Sequence, residues 1–195
     1  MDFNSFLDTC DHPGSIILFG GKREVPPSDE RSIIQLGILL ASSSKRMLFR
    51  SGNAGGSDEL FSKGVSEIGN ARLQVITPYQ GHRAKNNVAY DTISLDQVNI
   101  VAEPDVVGYS LRNQSSKSGV KSYVQGNRDR YAMKGAYIIR DTVMVIGANG
   151  IPSATFALFY DDLANPMKGG TGHTMDVCRA AGIPSIDQKV WLSWL

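Results

Sequence analysis

Three short glycine-rich segments hold the residues best suited to chemistry. The densest is Gly169-Gly170-Thr171-Gly172-His173-Thr174. Glycines let a backbone approach an anion closely, and a helix opening at this point adds free amides and the positive end of its dipole. Thr171 and Thr174 supply hydroxyl donors for phosphate oxygens. Ser51-Gly52-Asn53-Ala54-Gly55-Gly56-Ser57-Asp58 offers a second amide-lined cradle, in which Asp58 either caps the next helix or accepts from a ribose hydroxyl. Gly20-Gly21-Lys22-Arg23 is the third, with two cations able to pair with a phosphate or simply to be solvated. Neither longer loop ends in the Gly-Lys-Ser/Thr of a Walker loop, and neither fits the Gly-x-Gly-x-x-Gly fingerprint.

A few side chains near these loops extend the list. His173 can hold a base, a phosphate or a proton in transit, or can be a core histidine. Asp176 is the only carboxylate close to the last loop and reads either as a helix-dipole partner or as a catalytic group. Arg128 and Arg130 stand two apart on an expected helix, so they point in different directions and one of them is expected to face the ligand. His12, His82, Cys10 and Cys178 share no metal-ligand spacing, so no metal and no cofactor is expected.

Positioning these loops needs strands that end where they begin. Residues 15–19 form an apolar run closed by Gly20-Gly21, a buried strand by length and composition. A helix is expected over 31–42 after a Pro-Pro-Ser start, a second strand over 46–50 and a helix over 58–68. Residues 73–77 form a third strand, stopped by Pro78. The polar stretch 80–126 is read as a mobile excursion with one or two short helices, a length that tends to be functional. Beyond it the pattern predicts a helix over 127–135 and a strand over 142–147. Residues 148–168 are read as an insertion, a hairpin arm or interface that contains Phe156, Leu158, Phe159 and Tyr160. A helix through Ala181 and a last strand over 182–186 complete the chain. Alternating strands and helices imply an α/β, Rossmann-like three-layer sandwich with a mainly parallel sheet and helices on both faces. The whole chain, 1–195, reads as one domain, and ligands of such sheets sit beyond the carboxyl ends of the strands.

The bulk properties narrow the function classes. Hydrophobic residues make up 42% and charged residues 20% of the 195 residues, the balance of a globular protein. The formal net charge of +1 gives no basic excess, which argues against nucleic acid as a partner. No run reaches the roughly 18 apolar residues of a membrane span, and no signal peptide is evident. Two distant cysteines fit free thiols in a reducing compartment, so the expected location is the cytoplasm.

The loops together resemble a known group. The segment from Ser51 to Asp58 is similar to the Ser-Gly-Gly-Ala-x-Gly-Ala/Ser-Asp loop of the DprA-like branch of the SLOG superfamily, and Gly20-Gly21-Lys22-Arg23 to its Gly-Ser-Arg turn. The segment from Gly169 to Thr174, followed by Gly182-Ile183-Pro184, resembles the closing signature of that branch, and the stretch from Arg128 to Gly135 resembles the arginine-bearing helix of its small members. The matches run in order over about residues 15–187. The resemblance implies a Rossmann-like domain whose glycine loops hold a nucleotide or nucleotide-derived molecule, in a homodimer or higher homo-oligomer. Its LOG-type phosphoribohydrolases carry Pro-Gly-Gly-x-Gly-Thr-x-x-Glu, where this chain has Lys168, His173 and Asp176 in place of the Pro, Thr and Glu.

Three functions follow as expectations. The first is binding of a small nucleotide-type ligand by Gly20, Gly21, Arg23, Ser51, Gly52, Asn53, Gly55, Ser57 and Asp58 together with Arg128, Arg130, Gly169, Gly170, Thr171, Gly172, His173 and Thr174. The second is N-glycosidic hydrolysis of a nucleoside 5′-monophosphate, with Asp176 as the carboxylate and Arg128 on the phosphate. The third is single-stranded DNA binding as in DprA.

Overall fold

The computed structural model describes all 195 residues. In chain order its elements begin α1 (Phe3–Cys10), β1 (Ile16–Gly21), α2 (Pro27–Ser43), β2 (Leu48–Ser51), α3 (Ser57–Ile68) and β3 (Leu73–Thr77). They continue with β4 (Asp91–Ser94), α4 (Pro104–Ser110), α5 (Lys117–Val124), α6 (Arg130–Ile146), β5 (Phe156–Tyr160), α7 (Gly169–Ala180), β6 (Ser185–Asp187) and α8 (Gln188–Trp191). The strands form one sheet in the order β4-β3-β2-β1-β5-β6, and every pairing is parallel. This is the three-layer, Rossmann-like α/β architecture expected from the alternation of elements. No helix is long and apolar enough to cross a membrane.

Both faces of the sheet are covered, so the central strands bury nearly every residue instead of alternating with exposed ones. Ile16 and Leu18 of β1 enter a core shared with α4–α7, while Ile17 and Phe19 enter the core shared with α1–α3 and α8. The two helices α2 and α3 approach backbone to backbone. A Cβ on Gly37 would lie 2.6 Å from the Phe61 carbonyl oxygen, and one on Gly64 would overlap the Ile34 carbonyl.

Two sequence expectations change here. Residues 142–147 are not a strand but the end of α6 and its C-cap. The helix is capped at its start by Asp129, whose carboxylate accepts from the amides of Tyr131 and Ala132, and at its end by Gly147 with φ +75°. Residues 138–145 are all buried, because α6 is packed by the sheet on one side and by neighbouring helices on the others. A helix enclosed on all sides shows an unbroken apolar run with β-branched residues, the same signature as a buried parallel strand. The run at Phe156–Tyr160 is then the true strand, β5, between β1 and β6 in the middle of the sheet. It is no arm.

The stretch 80–126 also differs from a mobile excursion. It contains the edge strand β4, four short 3-10 turns, and α4 and α5, and α5 packs closely on α6 through Gly119 and Gly135. Strand β4 escapes notice because Asp91 and Thr92 are exposed at the sheet edge, so its sequence is polar.

A polar ladder crosses the middle of this apolar sheet. Arg50 on β2 is fully buried; its Nε donates to Gln74 Oε1 on β3 at 2.7 Å, and Gln74 Nε2 donates to Asp91 Oδ2 on β4 at 2.6 Å. Arg50 Nη1 donates to the carbonyls of Met144 at 3.1 Å and Pro152 at 2.8 Å. Burial lowers the Arg50 pKa to about 10, with Asp91 acting in the opposite direction, so the guanidinium stays charged. Replacing Arg50 by Met leaves the Met144 and Pro152 carbonyls and the Gln74 amide oxygen without their donor. The expected cost is about 3 kcal/mol, read as a lowered urea midpoint at constant slope. A loss well under about 1 kcal/mol would mean that water replaces the guanidinium at those carbonyls.

Candidate functional site

The chain runs outward from β1 to β4 and then returns to place β5 on the other side of β1. That reversal makes β1/β5 the topological switch point, where the connections leave to opposite sides and open a crevice at the carboxyl edge. A cavity of about 330 Å³ lies there. Its size falls at the lower end of the range for small-molecule pockets, roughly 300–1,000 Å³.

The cavity is built from four segments. The end of β1 and the turn after it contribute Gly20, Gly21, Lys22 and Arg23; after β2 come Ala54 and Asp58; α6 contributes Tyr137, Ile138, Arg140, Asp141 and Met144; and the start of α7 contributes Lys168, Gly169, Gly170, Thr171 and Thr174. The three glycine-rich loops therefore meet, as their positions after strands require. A shallower trough continues outward past Glu24, Asp161, Asp162 and Asn165, sharing Lys22, Arg23 and Lys168 with the deeper part.

The first two loops are locked together by close backbone contact. Gly56 has φ +78°, and a side chain there would overlap the Arg23 carbonyl; one on Gly21 would overlap Ser57 Oγ. The amide of Ser57 donates to the Lys22 carbonyl at 3.2 Å and that of Lys22 to the Tyr160 carbonyl at 3.0 Å. At α7, Lys168 is the N-cap and makes no side-chain cap bond, so the first amides of the helix remain available. Gly169 has φ +63°. Thr174 Oγ1 is already donated to the Gly170 carbonyl at 2.9 Å.

Three ionisable side chains form the floor. Asp58 Oδ2 accepts from the amides of Gly52 at 3.1 Å and Ala54 at 3.4 Å, and lies 4.0 Å from Arg140 Nη1. Arg140 Nε lies 3.1 Å from Asp141 Oδ1, an ion contact without hydrogen-bond alignment. The guanidinium rests against Gly52, where any Cβ would overlap Nη1. Burial raises the Asp58 pKa, countered by Arg140 and the two amides. Burial also raises the Asp141 carboxyl to about 6; Arg140 pulls it down and Asp58 pushes it up, while Arg23 adds a weaker pull downward.

Not every residue singled out from the sequence reaches this cavity. Gly20, Gly21, Arg23, Asp58, Gly169, Gly170, Thr171 and Thr174 do. Ser51, Gly52, Asn53, Gly55 and Ser57 shape the loop behind it: Ser51 Oγ meets Ser62 Oγ at 3.1 Å, Asn53 with φ +50° donates to the His82 carbonyl, and Gly55 abuts Arg83. Gly172 packs on the Met167 backbone inside the helix. His173 is buried with Nε2 3.0 Å from Thr142 Oγ1, and burial lowers its pKa to about 4. Arg128 folds back over the Tyr123 ring, its guanidinium 3.9 Å from the centroid, and donates to the Tyr123 and Asn127 carbonyls. Arg130 is exposed at the start of α6. Asp176 lies two residues past Thr174, which turns it away from the cavity, and Arg112 holds it through contacts of 2.8 and 3.2 Å that keep its pKa low.

Sequence reasoning missed Tyr137, Arg140 and Asp141. The signal was present: Arg140-Asp141 is a charged pair inside the apolar run from Ile138 to Ile146, and such charges are rarely buried unless paired. Tyr137 has Arg23 over its ring at 5.7 Å and His82 edge-on at 5.6 Å.

No protein-family model matches the chain, and no curated protein matches it. Among solved structures it is similar to DNA processing protein A from Helicobacter pylori, a protein with a described single-stranded DNA binding mode. The likeness has a TM-score of 0.50 at 13% identity over 95% of this chain and 68% of the other. The chain thus has a DprA-like fold. The expectation that nucleic acid is an unlikely partner is overturned by this neighbour, whose described binding mode is for single-stranded DNA. A net charge near zero does not preclude a local cationic site, since Lys22, Arg23 and Lys168 line one cavity.

The raised Asp141 pKa has a consequence for stability. A carboxyl that holds its proton more tightly when folded costs stability above pH 6, and that cost shrinks as pH falls from about 6 toward the unfolded value near 3.9. Asp141→Asn is expected to raise the melting temperature at pH 8 and to lose most of that gain at pH 4.5. A variant less stable than the parent at pH 8 would mean that the contact with Arg140 outweighs the burial cost.

Proposed function

We infer that the cavity binds a nucleotide-type ligand and takes its phosphate at the mouth. The observation that carries this reading is the convergence of two glycine loops and the uncapped start of α7 with Lys22, Arg23 and Lys168 at a single cavity. The free amides at the start of α7 can meet an anion without steric hindrance, the helix dipole favours negative charge, and the three cations add charge-assisted donors. Arg23 and Lys168 are exposed, which suits a group that arrives from solvent with its charge intact. Asp176 and Arg128, the pair assigned to hydrolysis of a nucleoside monophosphate, lie outside the cavity, so that reaction is not part of this reading.

A second reading is favoured by the structural neighbour. The same carboxyl edge would carry single-stranded DNA, with one phosphate of the strand in the mouth beside Lys22, Arg23 and Lys168. The two readings share the phosphate site and differ in whether a single nucleotide suffices.

Titration calorimetry with nucleoside 5′-monophosphates, beside anisotropy of a labelled oligo-dT, separates them. The expected result is binding of a monophosphate, weakened about tenfold or more by Lys168→Glu. Binding of the oligonucleotide alone, with an affinity that falls steeply with salt, would replace the first reading by the second. Absence of both would remove the site.

A further inference from the structure

The two carboxylates at the floor of the cavity are not equivalent. Asp58 Oδ2 is engaged by the Gly52 and Ala54 amides and holds the β2 loop in shape. Asp141 accepts no hydrogen bond from any protein donor, and its ion contact is with the unaligned Arg140 Nε. Its side chain is 9% exposed, and that exposure is to the cavity. Arg140 is equally deep, and its only aligned side-chain partner is the weak acceptor Met144 Sδ at 3.8 Å. A buried carboxylate beside a buried guanidinium, both short of partners and both lining one cavity, is a binding surface that awaits donors and acceptors from a ligand.

Position decides which part of a nucleotide supplies them. A Cβ placed on Gly170 would lie 3.1 Å from Asp141 Oδ2, so this carboxylate stands directly behind the glycine turn that opens α7. The phosphate belongs with Lys22, Arg23 and Lys168 at the mouth, away from two carboxylates that would repel it. The group next to a 5′-phosphate along a nucleotide is the sugar; the base lies further off. A vicinal diol offers two O–H donors to the two oxygens of one carboxylate and leaves lone pairs for the adjacent guanidinium. An ionised acid serves this purpose in dinucleotide sites by the same chemistry.

We propose that Asp141, flanked by Arg140, accepts the 2′- and 3′-hydroxyls of a ribose, so that the ligand of this cavity is a ribonucleotide and not a deoxyribonucleotide. The proposal rests on the nucleotide reading above. An Asp141 pKa of about 6 leaves the carboxylate ionised at neutral pH, as an acceptor of two hydrogen bonds must be. The Gly170 turn is part of the device, because any side chain there presses on the carboxylate.

The test is calorimetry on the full chain at pH 7.5 with the four common nucleoside 5′-monophosphates and their 2′-deoxy counterparts. For the nucleotide that binds, the ribo form is expected about 10- to 100-fold tighter, the worth of a hydrogen bond to a charged group. Asp141→Asn and Asp141→Ala are expected to bring that ratio close to one. Equal affinity for ribo and deoxy forms in the parent protein overturns the ribose assignment while leaving the nucleotide site intact. A ratio that survives both variants also overturns it. Failure of all eight compounds to bind removes the nucleotide reading, and this proposal with it. The parent ratio needs no variant, so the test holds even if a substitution impairs folding.

Discussion

The buried guanidinium of Arg50 is the constraint on which the arrangement depends. It sits on β2 in the centre of the sheet, reaches sideways through Gln74 to the edge strand, and reaches upward to the carbonyls of Met144 and Pro152. Those two carbonyls belong to the last turn of α6 and to the segment that leads into β5. One side chain therefore fixes how α6 lies on the sheet and where the chain turns back into it. Met144, held by its carbonyl, also presents its sulfur to Arg140 one turn earlier. The orientation of the cavity floor is thus inherited from a contact one turn further along the same helix.

Charge is layered along the depth of the cavity. Cations stand at the mouth on exposed loops, beside the carboxylates of Glu24 and Asp162 in the outer trough. Water screens them there, and their pairing is worth little until a ligand arrives. Acids and one guanidinium stand at the floor, where burial makes each unpaired group expensive. A ligand with an anion at one end and neutral donors at the other fits this order in only one direction. The folded protein carries the cost at the floor in the raised pKa values of Asp58 and Asp141, a local instability of the kind that binding surfaces retain.

The legible parts of the sequence were those with a single physical cause. Runs such as Ile16–Phe19 followed by Gly20-Gly21 have one reading, a buried strand ending in a tight turn, and the three glycine loops could be assigned to one edge on that basis. Where two structures share a signature, reading failed. The run from Thr142 to Ile146 is apolar because α6 is enclosed, and nothing in its composition distinguishes that from a strand; the error then displaced β5. Strand β4 was illegible for the opposite reason, since an edge position leaves Asp91 and Thr92 in water. The site residues followed the same rule. Glycines announce themselves by their number, whereas Arg140 and Asp141 matter only through neighbours brought from β2 and α7, and Asp176 was credited by proximity in sequence without regard to helical phase.

The walls of the cavity differ in how they are held. Backbone contacts bind the β1 and β2 loops to each other and to α3. The segment between β5 and α7 is different: hydrogen bonds from residues 162–166 stay within 162–168, and residues 163–166 are exposed. Insertions or deletions there would disturb no other part of the sheet, which makes this segment the place where descendants of the chain can acquire new ligands without re-evolving a fold.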